Sequence, residues 1–123
     1  MRILIVEDEP LIRLELERIV TDAGHEVVGG SATGAEAIRL AEAQRPDMVL
    51  MDIALDGDMD GIETARIIHD SLSIRSLFVS APLSTEQRDS VDITRPFGIL
   101  LKPVVAEQLR HALEEIARRL GKG

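Results

Sequence analysis

The chain has no cysteine, no tryptophan and no tyrosine, and its aromatics are two phenylalanines, Phe78 and Phe97. Without cysteine there is no disulfide framework, no thiolate metal site and no thiol nucleophile. No apolar run approaches the roughly 20 residues of a membrane span. The opening Met1-Arg2-Ile3-Leu4-Ile5-Val6 is too short and too soon followed by charge for a signal peptide. The expectation is a soluble, cytoplasmic chain. Positive charge is also scarce: Lys+Arg 14 against Asp+Glu 22 gives a net charge of −8, which argues against direct contact with nucleic-acid backbones. The cations near the end, Arg110, His111, Arg118, Arg119 and Lys122, complement a helix C-terminus or form a docking face. Repeats, low-complexity tracts and Pro/Gly/Ser linkers are missing, so residues 1–123 read as one domain.

What is present is an alternation of short apolar runs with amphipathic stretches. The runs are Ile3 to Val6, Val27-Val28, Met48 to Met51, Leu77 to Val79 and Gly98 to Leu101. Three are apolar almost throughout, as strands covered on both faces must be. Between them, Ile12, Leu16, Ile19, Val20 and Ala23 share a helical stripe that Gly24 closes. Thr33 with Glu36 and Asp60 with Glu63 mark helix starts, as does Ser84 with Gln87. A last helix carries Val105, Leu109, Ala112, Leu113, Ile116 and Leu120, with Gly121 after it. The fourth helix is the weak one. From Ser84 to Arg95 it has only Val91 and Ile93 as large apolar residues, and Pro96 closes it, so a short or irregular, loosely held element is expected there. Five βα units imply right-handed crossovers and an α/β doubly wound parallel sheet.

In such a sheet the residues just beyond the strand C-termini do the chemistry. Here these are Glu7 and Asp8, Asp52, Ser80, and Lys102 followed by Pro103. Glu7 and Asp8 alone could equally be first-turn acids of a helix opening at Pro10. A lone Lys102 could snorkel to solvent, and a lone Ser80 could cap a helix. Asp52 has no such excuse, because it ends a buried strand. Three acids drawn together repel unless a cation sits among them, and a hard oxygen-ligated ion such as Mg²⁺ suits the set.

The ordered landmarks Glu7-Asp8, Met51-Asp52, Ser80-Ala81 and Lys102-Pro103, with Asp60-Gly61 at the third helix start, resemble the receiver domain of two-component response regulators. The resemblance covers essentially the whole chain. It implies a flavodoxin-like (βα)5 fold with sheet order 2-1-3-4-5. It further implies that Asp52 takes a phosphoryl group from a phosphohistidine on a sensor histidine kinase or histidine phosphotransfer protein. Asp8, Asp52 and the Ala54 carbonyl would ligate Mg²⁺ directly and Glu7 through water. Lys102 and Ser80 would hold phosphoryl oxygens, and the Lys102-Pro103 bond would be cis. Output would pass to an unknown protein target through altered contacts, with no nucleic acid or membrane partner, since no appended output domain follows the fifth helix.

Departures from that family are expected to matter. Asp56 stands where a proline is common after the acceptor, in a loop that reads one residue longer, and Ile99 replaces the usual aromatic before the lysine. With a poor fourth helix, these point to a switch that orders or shifts residues 82–97 rather than flipping an aromatic. Rival functions fit less well. Gly29-Gly30-Ser31-Ala32-Thr33-Gly34 is followed by Ala35, not a P-loop lysine, and reads as a strand-to-helix turn. A phosphatase with an Asp nucleophile would want a second acid where Ala54 stands. A scaffold that is never phosphorylated would have no need of the intact acids, Ser80 and Lys102.

Overall fold

The apolar runs become strands and the amphipathic stretches become helices in a computed structural model that describes residues 1–122. The order is β1 (Arg2–Val6), α1 (Pro10–Asp22), β2 (Glu26–Ser31), α2 (Gly34–Gln44), β3 (Met48–Asp52), α3 (Gly61–Leu72), β4 (Ser76–Ser80), α4 (Thr85–Ile93), β5 (Gly98–Leu101) and α5 (Ala106–Arg119). All strand pairs are parallel and the sheet order is β2-β1-β3-β4-β5, as the resemblance implied. The order reverses direction between β1 and β3, which opens a crevice at their C-terminal ends.

The two-residue period of the strands sorts the core into two layers. Ile3, Ile5, Met48, Leu50, Leu77 and Val79 pack with Leu16 and Val20 of α1 and Leu109, Leu113 and Ile116 of α5. Leu4, Val6, Val49, Met51 and Phe78 pack with Ala37 and Ala41 of α2, Ala65 and Ile68 of α3, and Val91 of α4. Burying a side chain of this size stabilises by about 1.5–3 kcal/mol, so these central strands hold the fold together.

The helix starts read from the sequence are present as caps. Thr33 accepts from the Glu36 amide (3.3 Å) and Asp60 from the Glu63 amide (2.9 Å). Ser84 and Gln87 cap each other reciprocally. Gly24 follows α1 at φ +90°, where a side chain would be strained. Some expectations shift. Gly29 and Gly30 lie inside β2 rather than in a turn; a Cβ on Gly30 would stand 3.1 Å from Glu17 Oε1 and 3.3 Å from Arg13 Cδ of α1. The smallness of Gly30 lets α1 sit close to the edge strand, while a Cβ on Gly29 would meet Leu4 of β1 and Leu40 of α2. Val105 is the N-cap of α5 and is exposed, not part of its buried stripe. The fourth helix is the shortest, at nine residues, and buries only Val91, but it is a regular, fully capped helix and not an irregular segment.

Candidate functional site

Glu7 continues the register of Ile3 and Ile5 one step past β1, Asp52 that of Met48 and Leu50, and Lys102 that of Leu100. All three therefore converge at the strand ends on the α1/α5 side, and Asp8 lies beyond the strand tip. One oxygen from each of Glu7, Asp8 and Asp52 lies within 4.8 Å of the others. The Lys102 ammonium bridges the group, 3.1 Å from Glu7 Oε1 and 3.3 Å from Asp52 Oδ2. Glu7 and Asp52 are buried, and Lys102 keeps about a quarter of its side chain exposed (27%).

Backbone geometry holds the acids in place. The Glu7 amide donates to the Ser31 carbonyl (2.9 Å), and the Glu9 amide donates to Glu7 Oε2 (3.2 Å). The Ala54 amide donates to Asp52 Oδ1 (3.2 Å), and the Asp56 amide reaches across the crevice to Asp8 Oδ2 (3.2 Å). Gly61 packs directly against the chain at Asp52: an added Cβ would collide with the Asp52 carbonyl oxygen. Sequence reasoning noted Gly61 only as a helix start. It missed Arg13 altogether, whose Nη1 donates to the Glu7 carbonyl (3.0 Å) and braces a turn in which α1 has no side-chain cap.

The charges are strongly coupled. Burial pushes the Glu7 carboxyl up to about 7, and a proton shared with Asp52 and that residue's charge push the same way, while the Glu9 amide and Lys102 oppose them. Burial would lower the Lys102 ammonium, but close contact with Glu7 and the charges of Asp52 and Glu7 raise it above its ordinary value. Glu7 Oε1 is buried and, although in ion-pair contact with Lys102, accepts no well-directed hydrogen bond. A buried, under-coordinated carboxylate oxygen in a set of three hard donors fits a small divalent cation with retained waters. Glu7, Asp8 and Asp52 could hold such an ion.

Ser80 stands at the end of β4 on the other face, in register with Phe78, and its hydroxyl donates to the Ala81 carbonyl (2.6 Å). Among the described residues no hydrogen bond joins it to the acids. Ala54 follows Asp52 in the exposed loop. The Lys102-Pro103 bond is cis, as expected. Ile99 is half-buried in the α4-side layer with Leu83 and Val91.

Fold and site together define a doubly wound α/β protein with a cation-ready acidic pocket and a lysine at the sheet's switch point. The response regulator receiver domain family matches residues 3–114. The chain belongs to that family. It is 40% identical over 116 residues to the transcriptional regulatory protein PdtaR of Mycobacterium tuberculosis, covering 92% of this chain and 55% of that protein. It is 38% identical over 80 residues to the phyllosphere-induced regulator PhyR of Methylorubrum extorquens, covering 64% of this chain and 30% of that one. The chain thus spans about half or less of these curated relatives. The signal receiver domain of a modulated diguanylate cyclase from Desulfovibrio desulfuricans G20 matches with TM-score 0.89 and 34% identity, covering 96% of this chain and 94% of that one. Among the described residues, no helix is long and apolar enough to cross a membrane.

Proposed function

We propose that this chain, as a single receiver domain over residues 1–123, accepts a phosphoryl group onto Asp52 from a phosphohistidine. The donor is a sensor histidine kinase or histidine phosphotransfer protein in the cytoplasm. The observation that carries the reading is the buried Asp52 carboxylate, gathered with Glu7 and Asp8 and held by the Lys102 ammonium that bridges it to Glu7.

An Asp52 oxygen forms the new bond to phosphorus as the phosphorus–nitrogen bond breaks, and the electron pair of that bond returns to the imidazole. A carboxylate nucleophile has no proton to lose in the attack, so the step asks for no general base. Mg²⁺, held by Glu7, Asp8, Asp52 and the Ala54 carbonyl, would supply charge neutralisation of the phosphoryl oxygens. Lys102 neutralises another phosphoryl oxygen by exchanging its carboxylate partners for it. Ser80 exchanges its Ala81 bond for one to the remaining oxygen, which is positioning and electrostatics throughout. A cleft of about 360 Å³ beside Lys102, bordered by Ile12, Leu16 and Val104, and the exposed Leu11 and Leu14 of α1 offer the donor protein a surface.

The chain is a switch rather than a turnover enzyme, because Ala54 offers no general acid where an aspartyl phosphatase would need one. Its output is an altered set of protein contacts with a downstream target. Intact-mass spectrometry after incubation with acetyl phosphate or phosphoramidate tests the reading. A gain of one phosphoryl group that requires both Mg²⁺ and Asp52 is expected, with Asp52→Asn inert. A gain that survives Asp52→Asn refutes the assignment. So does the absence of any gain from either donor and from a panel of autophosphorylated histidine kinases.

A further inference from the structure

The loop that joins β3 to α3 is tied down at both ends and free in the middle. Its base is closed by the Gly61 amide, which donates to the Ile53 carbonyl (2.8 Å). Leu55 is half-buried against the core layer under α2, α3 and α4. Met59 lies against the start of α2, where a Cβ on Gly34 would stand 3.2 Å from the Met59 Cβ. Between these anchors the chain arches through exposed Asp56, Gly57 and Asp58, and Gly57 turns it at φ +100°, a conformation that favours glycine.

The arch brings the Asp56 amide to Asp8 Oδ2 (3.2 Å), a contact between residues 48 positions apart. The three acids are thus held in different ways. Glu7 is fixed by the Glu9 amide and by Lys102, and Asp52 by the Ala54 amide and by Lys102. Asp8 shares neither support. Among the described residues, its carboxylate takes no hydrogen bond but that of Asp56, and no side-chain cation comes within 4.0 Å of it. Its placement therefore depends on a loop from another βα unit. Where a proline stands at this position there is no N–H to give, so Asp56 adds a tie that the commoner residue could not make.

We propose that the Asp56 backbone amide is the positioning group for Asp8, and that this strap gives the acidic pocket its preference for a small divalent cation. The inference rests on the reading that Glu7, Asp8 and Asp52 hold Mg²⁺. Each carboxylate oxygen carries two lone pairs, so Asp8 can accept the amide and still ligate an ion. Mg²⁺ demands near-ideal octahedral geometry at short distances, whereas Ca²⁺ tolerates a looser, more variable set of oxygens. A carboxylate already pinned in the crevice costs less to order than one free to rotate, and the more exacting ion gains more from it. By linkage, filling the site stabilises the strap to the same extent. The exposed Asp56 side chain takes no part: the tie is the N–H alone.

Asp56→Ala keeps the amide and Asp56→Pro removes it, so the pair isolates one N–H. Mg²⁺ and Ca²⁺ are each titrated calorimetrically into the full chain, and circular dichroism in EDTA shows whether both variants fold. Relative to Asp56→Ala, Asp56→Pro should bind Mg²⁺ about fivefold more weakly, the ordinary worth of one partly exposed hydrogen bond. Ca²⁺ should weaken less, so that the preference for Mg²⁺ narrows. Amide exchange followed by NMR needs no proline. In EDTA the Asp56 amide should exchange more slowly than those of Gly57 and Asp58, slow further with Mg²⁺, and lose its protection in Asp8→Ala. Equal Mg²⁺ affinity in the two folded variants, or equal losses for the two ions, overturns the proposal. So does an Asp56 amide that exchanges as fast as its neighbours with and without Mg²⁺. A wild-type chain that binds neither ion refutes the reading of the three acids as a cation site, and the strap with it.

Discussion

Replacing Glu7 with glutamine isolates the energetic consequence of assembling three carboxylates without a cation. The carboxyl of Glu7 is raised from 4.5 to about 7. Below about pH 4.5 it is protonated in both the folded and the unfolded chain. Between these values the folded chain keeps a proton that the unfolded chain has released, so stability falls as pH rises. Above about pH 7 both forms are ionised, and the fold bears the full cost of a buried carboxylate. At about 1.4 kcal/mol per pH unit that cost is about 3 kcal/mol. Urea unfolding in EDTA from pH 5 to pH 8 reads it directly. Wild type should lose up to about 3 kcal/mol more across the range than Glu7→Gln does. His25 works in the opposite direction: burial, then the adjacent N-terminal ammonium, lower it, so stability is gained as pH rises through 6.5. That contribution is common to both proteins and cancels in their difference. With saturating Mg²⁺ the wild-type loss should disappear, because the ionised carboxyl is then the bound form. Parallel pH curves for the two proteins in EDTA would refute the account of a strained acidic pocket.

Other perturbations separate the parts of the site. Arg13→Ala removes the brace on the Glu7 carbonyl; Mg²⁺ affinity by calorimetry should fall about fivefold, the loss of about 1 kcal/mol expected for one partly exposed hydrogen bond, with Arg13→Lys recovering part of it. Gly61→Ala places a methyl group against the Asp52 carbonyl, backbone that cannot move freely, and should cost at least about 2 kcal/mol in thermal unfolding. Gly98→Ala, whose methyl would meet only Leu77 at 3.7 Å, should cost less. Amide exchange in α4, which buries only Val91, should be faster than in α3 and should change on phosphorylation. Protection equal to that of α3, unchanged by phosphorylation, would end the idea that residues 82–97 are the switch.

Strand positions and helix starts were legible in the residues because they follow from local periods and caps, whereas the sheet order came with the family resemblance. A two-residue alternation decides which side chains of β1, β3 and β4 face α1 and α5, and Thr33, Asp60 and Ser84 announce their helices by their own hydroxyls and carboxylates. The acids and Lys102 could be placed at strand ends for the same reason: a run of apolar residues shows where a strand stops. The weak apolar content of α4 was equally plain, although its complete capping box keeps it regular. What the residues could not show is how segments far apart in the chain meet. Only the fold decides that Glu7 is enclosed with Lys102 and has its carboxyl raised. Only the fold turns Ser80 to the other face and lays Arg13 under the Glu7 turn. Gly61 looked like a helix start until the close approach of α3 to β3 left no room for a Cβ. Arg75 and Arg119, whose guanidinium groups lie over Phe97, come from distant parts of the chain, and no local pattern links them. Propensity and periodicity act over a few residues, whereas burial, charge coupling and close packing arise from the approach of distant segments, which only the tertiary structure supplies.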